Sequence, residues 1–290
     1  MFRSSNDQRL TTFLCGSATM AGLISLLIVV FLVLESIPAL SHIGLSRFVT
    51  DASWHPADVA DQGAFNLLPI VVGTLLASAG AILIAAPLGI LSAIFIQFYA
   101  PGRLGRVYLQ MVELMAGVPS VVFGLWGLIV IVPLVARVHP PGQSLLTAVL
   151  ILSMMILPTV AMLSHAALAS VPREFLIAAA ALGFSRGTTI VCVAVPAARS
   201  GLATALLLGL VRAVGETMAV VMVCGNVTRI PSSLFDPVRT LTATVALEMG
   251  YARGDHRSAL FVCGIVLLMG VAGLVGASEL LGSRRGHDPA

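Results

Sequence analysis

The most informative segment of this chain is Gly201–Val223, which reads GLATALLLGLVRAVGETMAVVMV. It is apolar except near its middle, where Arg212 and Glu216 stand four residues apart. If the segment forms one helix, the two side chains share a face and can reach each other. Arg212 then lies about 16 Å along the axis, near the centre of a hydrocarbon core about 30 Å thick. A charge at that depth costs at least about 2.5 kcal/mol, so the pair predicts a protein-lined path and a candidate site for an anion crossing a membrane.

The composition is that of a polytopic membrane protein. Of 290 residues, 58% are hydrophobic and only 10% are charged, with a mean hydropathy of +1.02, whereas a soluble domain carries about 25% charged residues. The net charge of +3 is too small to indicate a nucleic-acid partner. The histidines and cysteines lack the spacing of metal ligands, so neither a metal nor a cofactor is predicted. The four cysteines, expected to be buried free thiols, are Cys15, Cys192, Cys224 and Cys263.

Windows of about 20 apolar residues predict an all-α membrane protein with six transmembrane helices. The candidate spans are Phe13–Leu34, Leu67–Phe98, Tyr108–Ala136, Ser144–His165, Gly201–Val223 and Ser258–Leu281. The first is longer than the apolar core of a signal peptide and is expected to be a retained helix. Prolines in the second and third predict kinks or a helix end buried within protein. We expect an N-terminal helix with the first outer loop at 1–66, a transmembrane domain at 67–281 and a cytoplasmic tail at 282–290.

The arginines indicate the orientation, because short cytoplasmic loops carry an excess of basic residues. Placing both termini inside leaves more arginines in the cytoplasm than outside. The cytoplasmic set is Arg3, Arg9, Arg103, Arg106, Arg173, Arg186, Arg199, Arg284 and Arg285. The outer set is Arg47, Arg137, Arg229, Arg239, Arg253 and Arg257. Both termini are therefore predicted to be cytoplasmic, with Arg212 inside the membrane.

Two loops carry signals of local structure. In the inner loop, about residues 166–200, Ser170, Pro172 and Glu174 are typical of a helix start, and Gly183 of a helix end. A helix is expected to run through Ala181, followed by a short apolar segment, 188–195, that ends at Pro196. In the outer loop, 240–252 predicts a short helix on or dipping into the membrane. Its Glu248 is either a lumen-facing acid or the polar side of an outer helix.

The inner loop resembles the cytoplasmic coupling loop of ABC importer permeases. The matching elements are a helix rich in alanine, a glycine turn and a closing proline. The residues that carry this resemblance are Pro172, Arg173, Glu174, Ala178, Ala179, Gly183 and Pro196. The resemblance implies that the loop docks on an ATPase subunit, and small alanines permit the close approach that docking requires. The alternative is an ordinary amphipathic connector. Ile177 departs from the family pattern, which has a glutamate six residues before the glycine.

A narrower resemblance begins at Arg212. The string RAVGETMAV, followed by Gly225-Asn226, is similar to the C-type (PstC-type) permeases of phosphate-specific ABC importers. Further matches are GTL at 73–75, PLGI at 87–90, GVPSVVFGLWG at 117–127 and TLTA at 240–243, so the resemblance covers about residues 64–281.

This resemblance implies a type I ABC importer permease (MetI-like) fold with a cytoplasmic coupling helix, in a bacterial inner membrane. It implies transport of inorganic phosphate with three kinds of partner. These are a homologous A-type permease, a homodimeric ABC ATPase and an extracytoplasmic phosphate-binding protein. The membrane lipid is expected as a further contact.

The expected pathway residues are Arg212, Glu216, Thr217 and Ser120. Arg212 is expected to meet phosphate through a planar, bidentate donor fork, while Glu216 holds that fork in the resting state. The alternative is a structural ion pair that locks two helices. Thr217 and Ser120 either line the path with hydroxyls or bond their own backbone, as is usual in membrane helices.

The absent motifs limit the function further. There is no lysine, and so no G-x-x-x-x-G-K-[ST] loop, and ATP hydrolysis is expected in a separate polypeptide. No nucleophile–base pair is apparent, so the chain is predicted to be a transport subunit rather than an enzyme. The alternatives left open are a permease for another oxyanion such as sulfate or molybdate, a membrane enzyme whose Arg212 binds a lipid phosphate, and a sensor or scaffold in phosphate signalling.

Overall fold

The computed structural model describes the backbone of residues 5–283 and the side chains of residues 10–277. It is almost entirely helical. The helices are α1 (Ser5–His42), α2 (Arg47–Thr50), α3 (Leu68–Ile94), α4 (Gly102–Ala116), α5 (Ser120–Trp126), α6 (Val132–Ala136), α7 (Leu145–Ala169), α8 (Arg173–Ala181), α9 (Arg186–Thr189), α10 (Val195–Ala197), α11 (Arg199–Val214), α12 (Met218–Val223), α13 (Leu241–Glu248) and α14 (Gly254–Ser283). Short π-helical segments cover Phe95–Tyr99, Gly127–Ile131 and Ile190–Ala194, and a 3-10 turn covers Ala60–Gln62. Strands β1 (Trp54–His55) and β2 (Ala64–Phe65) pair antiparallel.

The predicted helical membrane class is confirmed. Four helices in the described part are long and apolar enough to cross a membrane, and the number rises to six if each of two bent pairs counts as one span. The four are Leu10–His42, Leu68–Tyr99, Leu145–Ala169 and Gly254–Ala277. The bent pairs are Gly102–Ala116 with Ser120–Ala136, and Arg186–Ala197 with Arg199–Val214. The tail predicted at 282–290 lies outside the described residues, apart from 282–283 at the end of α14.

The two bent pairs differ from the predicted spans in their bounds. The third span begins at Gly102 rather than Tyr108, and it bends by 89° across residues 117–119, between α4 and α5. The predicted interruption of this span, as a kink or a helix end, is confirmed. The second bent pair corresponds to the fifth predicted span. It begins inside the predicted inner loop, bends by 72° at Ala198 and ends at Val214. The prediction of one helix over 201–223 is therefore wrong.

The chain divides into two compact units, residues 1–66 with 248–266 and residues 67–247 with 267–290. In the first unit, the Trp54 and Phe65 rings meet edge to face across the β1–β2 pair. The Trp54 indole N–H donates to Glu248 Oε2 at 3.0 Å, and His256 Nε2 lies 3.0 Å from the same oxygen. Glu248 is only 5% exposed. Glu248 is thus a buried acid within this unit. This differs from both predicted alternatives, a lumen-facing acid and the polar side of an outer helix.

The second unit is organised around α3, α7 and α11. On α3 a stripe of small buried residues repeats every four positions: Gly73, Ala77, Ala81, Ala85, Gly89 and Ala93. A Cβ placed on Gly89 of this stripe would lie 2.8 Å from Val160 Cγ1 of α7, and one placed on Gly80, next to the stripe, would lie 2.6 Å from Val149 Cγ2. Small residues of this kind let helix backbones come close together in membranes. The stripe therefore explains why α3 packs tightly on α7.

The outer loop of the second unit covers the start of α7. Ser144 is the N-cap, and its hydroxyl accepts from the Thr147 N–H. The N–H groups of Leu145 and Leu146 donate to the carbonyls of Asp236 and Leu234. The first donors of a helix have no partner inside it, so this loop supplies acceptors that lipid cannot. Cys224, which ends α12 beside this loop, is buried, and so is Cys263; Cys15 and Cys192 are exposed, so their predicted burial is wrong.

Candidate functional site

The site centres on a break between α11 and α12. The α-helix ends at Val214, and Gly215 N–H still bonds the carbonyl of Val211. Glu216 N–H instead donates to the carbonyl of Ala213, three residues back. Regular helix resumes at Met218. Glycine is a poor helix former, so a break at Gly215 is physically reasonable.

Arg212 lies one turn before this break and is half-buried. Its Nη1 donates to Thr159 Oγ1 of α7 at 3.0 Å. Within residues 10–277, Thr159 is the one hydrogen-bond acceptor of this guanidinium, and no ion pair joins Arg212 to Glu216. The predicted Arg212–Glu216 clamp is therefore wrong, because the unwound backbone at 215–217 removes the shared helix face on which the pairing depended.

Glu216 makes contacts that hold the break itself. Its Oε1 accepts from the N–H of Ala219 at 3.1 Å, which satisfies a donor in the first turn of α12. Its backbone carbonyl accepts from the Thr242 hydroxyl at 2.7 Å. Because both ends of the residue are bonded, Glu216 stabilises the unwound conformation rather than the arginine.

Thr242 is itself positioned by the start of α13. The Thr240 hydroxyl accepts from the N–H of Ala243, and Leu241 N–H donates to Thr74 Oγ1 at 2.9 Å. Thr74 lies on α3, where its hydroxyl donates to the carbonyl of Ile70. The GTL and TLTA strings thus contain the threonines that hold α13 against α3 and that position Thr242 beside the break.

The two other predicted pathway residues, Thr217 and Ser120, make no hydrogen bond to Arg212 within the described part of the chain. The Thr217 hydroxyl donates to the carbonyl of Gly215 at 3.4 Å, which is the backbone-bonding alternative. Ser120 is the first residue of α5. Gly124 lies against Ala219 of α12, and Gly127, just after α5, faces Val223. The two segments therefore run in parallel, and one turn before Gly124 this register brings Ser120 near the 215–217 break.

The second candidate element is the inner loop, where the prediction of a helix through Ala181 is confirmed. Gly183 has φ +79°, a left-handed conformation that suits glycine. Its N–H donates to the carbonyl of Ala180, and Phe184 N–H donates to that of Ala179. This pair of bonds is a Schellman motif and gives the helix a defined end.

The start of this helix differs from the prediction. Pro172 is the N-cap residue, whereas Ser170 ends α7. Arg173, Glu174 and Ala178 are exposed, and Ala179 is buried. Pro196 lies in α10, one residue before the helix end at Ala197.

A cavity of about 280 Å³ lies beside α8. Its lining residues are Phe98, Leu176, Ala180, Phe184, Arg186, Thr189 and Ile190. At its edge, Arg186 Nη1 donates to the carbonyl of Phe98 at 3.4 Å. The loop is thus tied to the segment that follows α3.

Sequence reasoning missed two residues of the break. Thr242 carried a signal, because it lies within the TLTA string, but its partner Glu216 is 26 residues away. Thr159 carried no motif, and only the packing of α7 on α11 brings it to Arg212.

Apolar helices of membrane-spanning length, with a half-buried arginine at a helix break, define a polytopic helical membrane protein. Residues 85–285 match the family model of the binding-protein-dependent transport system inner membrane component. The chain therefore belongs to this family of ABC importer permeases, whose members are transport subunits rather than enzymes.

Curated relatives cover most of the chain. A probable ABC transporter permease protein, YqgH of Bacillus subtilis, is 39% identical over 251 residues, which are 84% of this chain and 81% of that protein. The phosphate transport system permease protein PstC of Mesorhizobium japonicum is 38% identical over 253 residues, with coverages of 80% and 76%. The PstC of Pasteurella multocida is 32% identical over 271 residues, with coverages of 86% and 83%. The predicted family is confirmed.

Solved structures with low sequence identity share the fold. A chain of the bacterial alginate ABC transporter, in complex with its alginate pentasaccharide-bound periplasmic protein, matches with a TM-score of 0.67 at 15% identity and full coverage of both chains. A chain of the inward-facing MetNI methionine ABC transporter matches with a TM-score of 0.60 at 18% identity, over 74% of this chain and 94% of that one. The fold is that of the type I ABC importer permeases.

Proposed function

We propose that this chain is a permease subunit of an ATP-driven importer and forms, with a homologous A-type permease, the translocation path for inorganic phosphate. The observation that carries this proposal is the 38% identity to a phosphate transport system permease over 80% of the chain. The half-buried arginine within the string RAVGETMAV supports it, because phosphate needs a cation or strong donors along a path through hydrocarbon.

Arg212 is the group proposed to meet phosphate. Its guanidinium has five N–H donors in a fixed fork, and Thr159 accepts from only one nitrogen of that fork. The guanidinium charge has no carboxylate partner among the described residues. An arriving anion therefore does not have to displace an acid, which favours Arg212 as a binding group over a structural ion pair.

Glu216, Thr217 and Ser120 take supporting roles in this proposal. Glu216 keeps the chain unwound at 215–217 through its bonds to Ala219 and Thr242. Broken helices with unwound backbone are a common way to build binding sites in the middle of transport proteins. The hydroxyls of Thr217 and Ser120 would add polar surface to the path.

The inner loop is proposed to dock on one subunit of a homodimeric ABC ATPase. Large apolar side chains are exposed on α8 and the turn after it: Phe175, Ile177, Leu182 and Phe184. An apolar patch of this kind on a loop predicted to be cytoplasmic suits a protein partner. Ile177 adds to this patch where the family pattern has a glutamate.

The bent pair Arg186–Ala197 and Arg199–Val214 connects the inner loop directly to the helix that carries Arg212. The segment 186–197 joins α11 at Ala198, and Arg212 lies near the other end of α11. A displacement of the inner loop by the ATPase therefore moves the helix that carries Arg212. An extracytoplasmic phosphate-binding protein would deliver the substrate on the opposite side. In this proposal the chain lies in a bacterial inner membrane with both termini in the cytoplasm.

The test is uptake of radiolabelled phosphate in cells that lack their own C-type permease and receive this chain with its cognate partners. We expect saturable uptake that sulfate and molybdate do not compete away. Arg212→Gln should lower the maximal rate at least about tenfold at equal assembly, since bonds to charged groups are worth about 1.5–3 kcal/mol each. Arg212→Lys keeps the charge but loses the planar donor fork, so it should retain part of the maximal uptake rate.

Two results would contradict different parts of this proposal. An assembled wild-type complex without phosphate uptake removes the phosphate assignment. Normal uptake by Arg212→Gln in a complex that transports phosphate leaves the assignment intact but removes Arg212 from the path.

A further inference from the structure

Thr159 is the side chain that meets Arg212, and no motif of the sequence singles it out. The two residues lie 53 positions apart and face each other from α7 and α11, with 3.0 Å between Arg212 Nη1 and Thr159 Oγ1. Both side chains are half-buried rather than sealed in the core. A group that approaches the guanidinium from the half-exposed side therefore also meets this hydroxyl.

The direction of this hydrogen bond determines what the hydroxyl can still do. A guanidinium has only donors, so Thr159 Oγ1 must accept. Its own O–H remains available to donate to a third group. Most helical hydroxyls in this bundle instead donate to a carbonyl of the preceding turn, as Ser153 does to Leu150 and Thr204 does to Ser200. For Thr159 no such backbone bond is found in the described part of the chain.

We infer that Thr159 is a second anion-binding residue beside Arg212, whose hydroxyl holds the guanidinium in place and donates its own proton to a substrate oxygen. This inference rests on the proposed phosphate path. Arg212 N–H groups and the Thr159 O–H then converge on neighbouring oxygens of one tetrahedral anion. Bonds in which one partner is charged are shorter and stronger than neutral ones, and the fixed fork makes their geometry specific.

The chain offers matched variants for a test in the complete transporter. Thr159→Val removes the hydroxyl and keeps the shape, and Thr159→Ser restores the hydroxyl. Thr204→Val is the control, because Thr204 is an exposed threonine of α11 whose hydroxyl already bonds the backbone. The measurements are phosphate uptake at saturating binding protein, the amount of assembled complex, and ATPase activity with and without phosphate-loaded binding protein.

We expect Thr159→Val to lower maximal phosphate uptake about tenfold or more, while Thr159→Ser stays within about threefold of the wild type and Thr204→Val is unchanged. ATPase activity without substrate should be the same in Thr204→Val as in the wild type. In the Arg212→Lys background, Thr159→Val should have a smaller effect than alone, since residues that share one interaction are not additive.

Three results would overturn the inference. They are wild-type uptake by Thr159→Val, an equal loss in Thr159→Ser, and full additivity with Arg212→Lys. If Arg212→Gln abolishes uptake while Thr159→Val does not affect it, the proposed function survives and this inference fails. A wild-type complex that does not transport phosphate contradicts both, and it is recognised before any variant is made.

Discussion

The contact between α5 and α12 provides the sharpest test of how the break is held. Gly124 faces Ala219, and a Cβ added to Gly124 would lie 2.7 Å from the Ala219 Cα and 3.0 Å from the Met222 Sδ. Carbon atoms in contact normally lie about 3.5–4.0 Å apart. The Met222 side chain can rotate away, but the Ala219 backbone cannot, so Gly124→Ala must push the two helices apart by about 1 Å.

The energetic cost follows from overpacking, which destabilises by about 1–3 kcal/mol. The displacement also acts on the site, because Ala219 N–H is the donor that Glu216 Oε1 accepts. We therefore expect Gly124→Ala to lower the thermal unfolding temperature of the purified complex in detergent and to reduce phosphate uptake per assembled transporter.

Gly270→Ala is the matched control, since Gly270 lies in a helix and a Cβ there meets no atom within 4 Å. An alanine in this open position should leave the unfolding temperature unchanged or raise it slightly, by the helix propensity term of about 0.5–1 kcal/mol. If Gly124→Ala and Gly270→Ala have the same unfolding temperature and uptake, α5 does not support the break through close packing, and the reasoning is refuted.

Two further predictions concern the break and the outer loop. Thr242→Val removes the donor to the Glu216 carbonyl and should cost about 1–3 kcal/mol, with reduced uptake that Thr242→Ser restores; equal uptake by Thr242→Val and wild type would contradict this. In the outer loop, hydrogen bonds from the Ser232 hydroxyl and from the N–H groups of Ser232 and Ser233 lower the pKa of Asp236. This stabilisation is present above the unfolded pKa and is lost as the pH falls through the lowered folded pKa, below pH 3.8. Amide hydrogen exchange of 232–236 should accelerate in that range beyond its intrinsic pH dependence, and Asp236→Asn, which cannot titrate, should not show this acid-induced change.

The properties readable from the sequence are those with local causes. Long apolar runs predicted the membrane class, because each backbone polar group in lipid must be bonded within its own helix. Gly183 predicted the end of α8, because a left-handed residue that suits glycine closes the helix with bonds to the preceding turn. The prolines of the third span predicted its bend, because proline has no N–H to continue the hydrogen bonds of a helix.

The errors concern partners that lie far apart in the chain. Spacing alone favoured an Arg212–Glu216 pair, yet Arg212 bonds a threonine on another helix and Glu216 caps the next one. The helix could end at Val214 because Thr242 of α13 supplies a donor to the freed Glu216 carbonyl. No local rule reports such a donor, since it arrives through the packing of α13 against α3.

The repeat of small residues along α3 was present in the sequence as a period of four, and it indicates a close helix contact, but it does not name the partner. The membrane class and the end of α8 at Gly183 thus follow from the local sequence, because hydropathy and backbone preference act over a few positions. The identity of the group that faces Arg212 depends on the packing of α7 on α11, where side chains 53 positions apart meet.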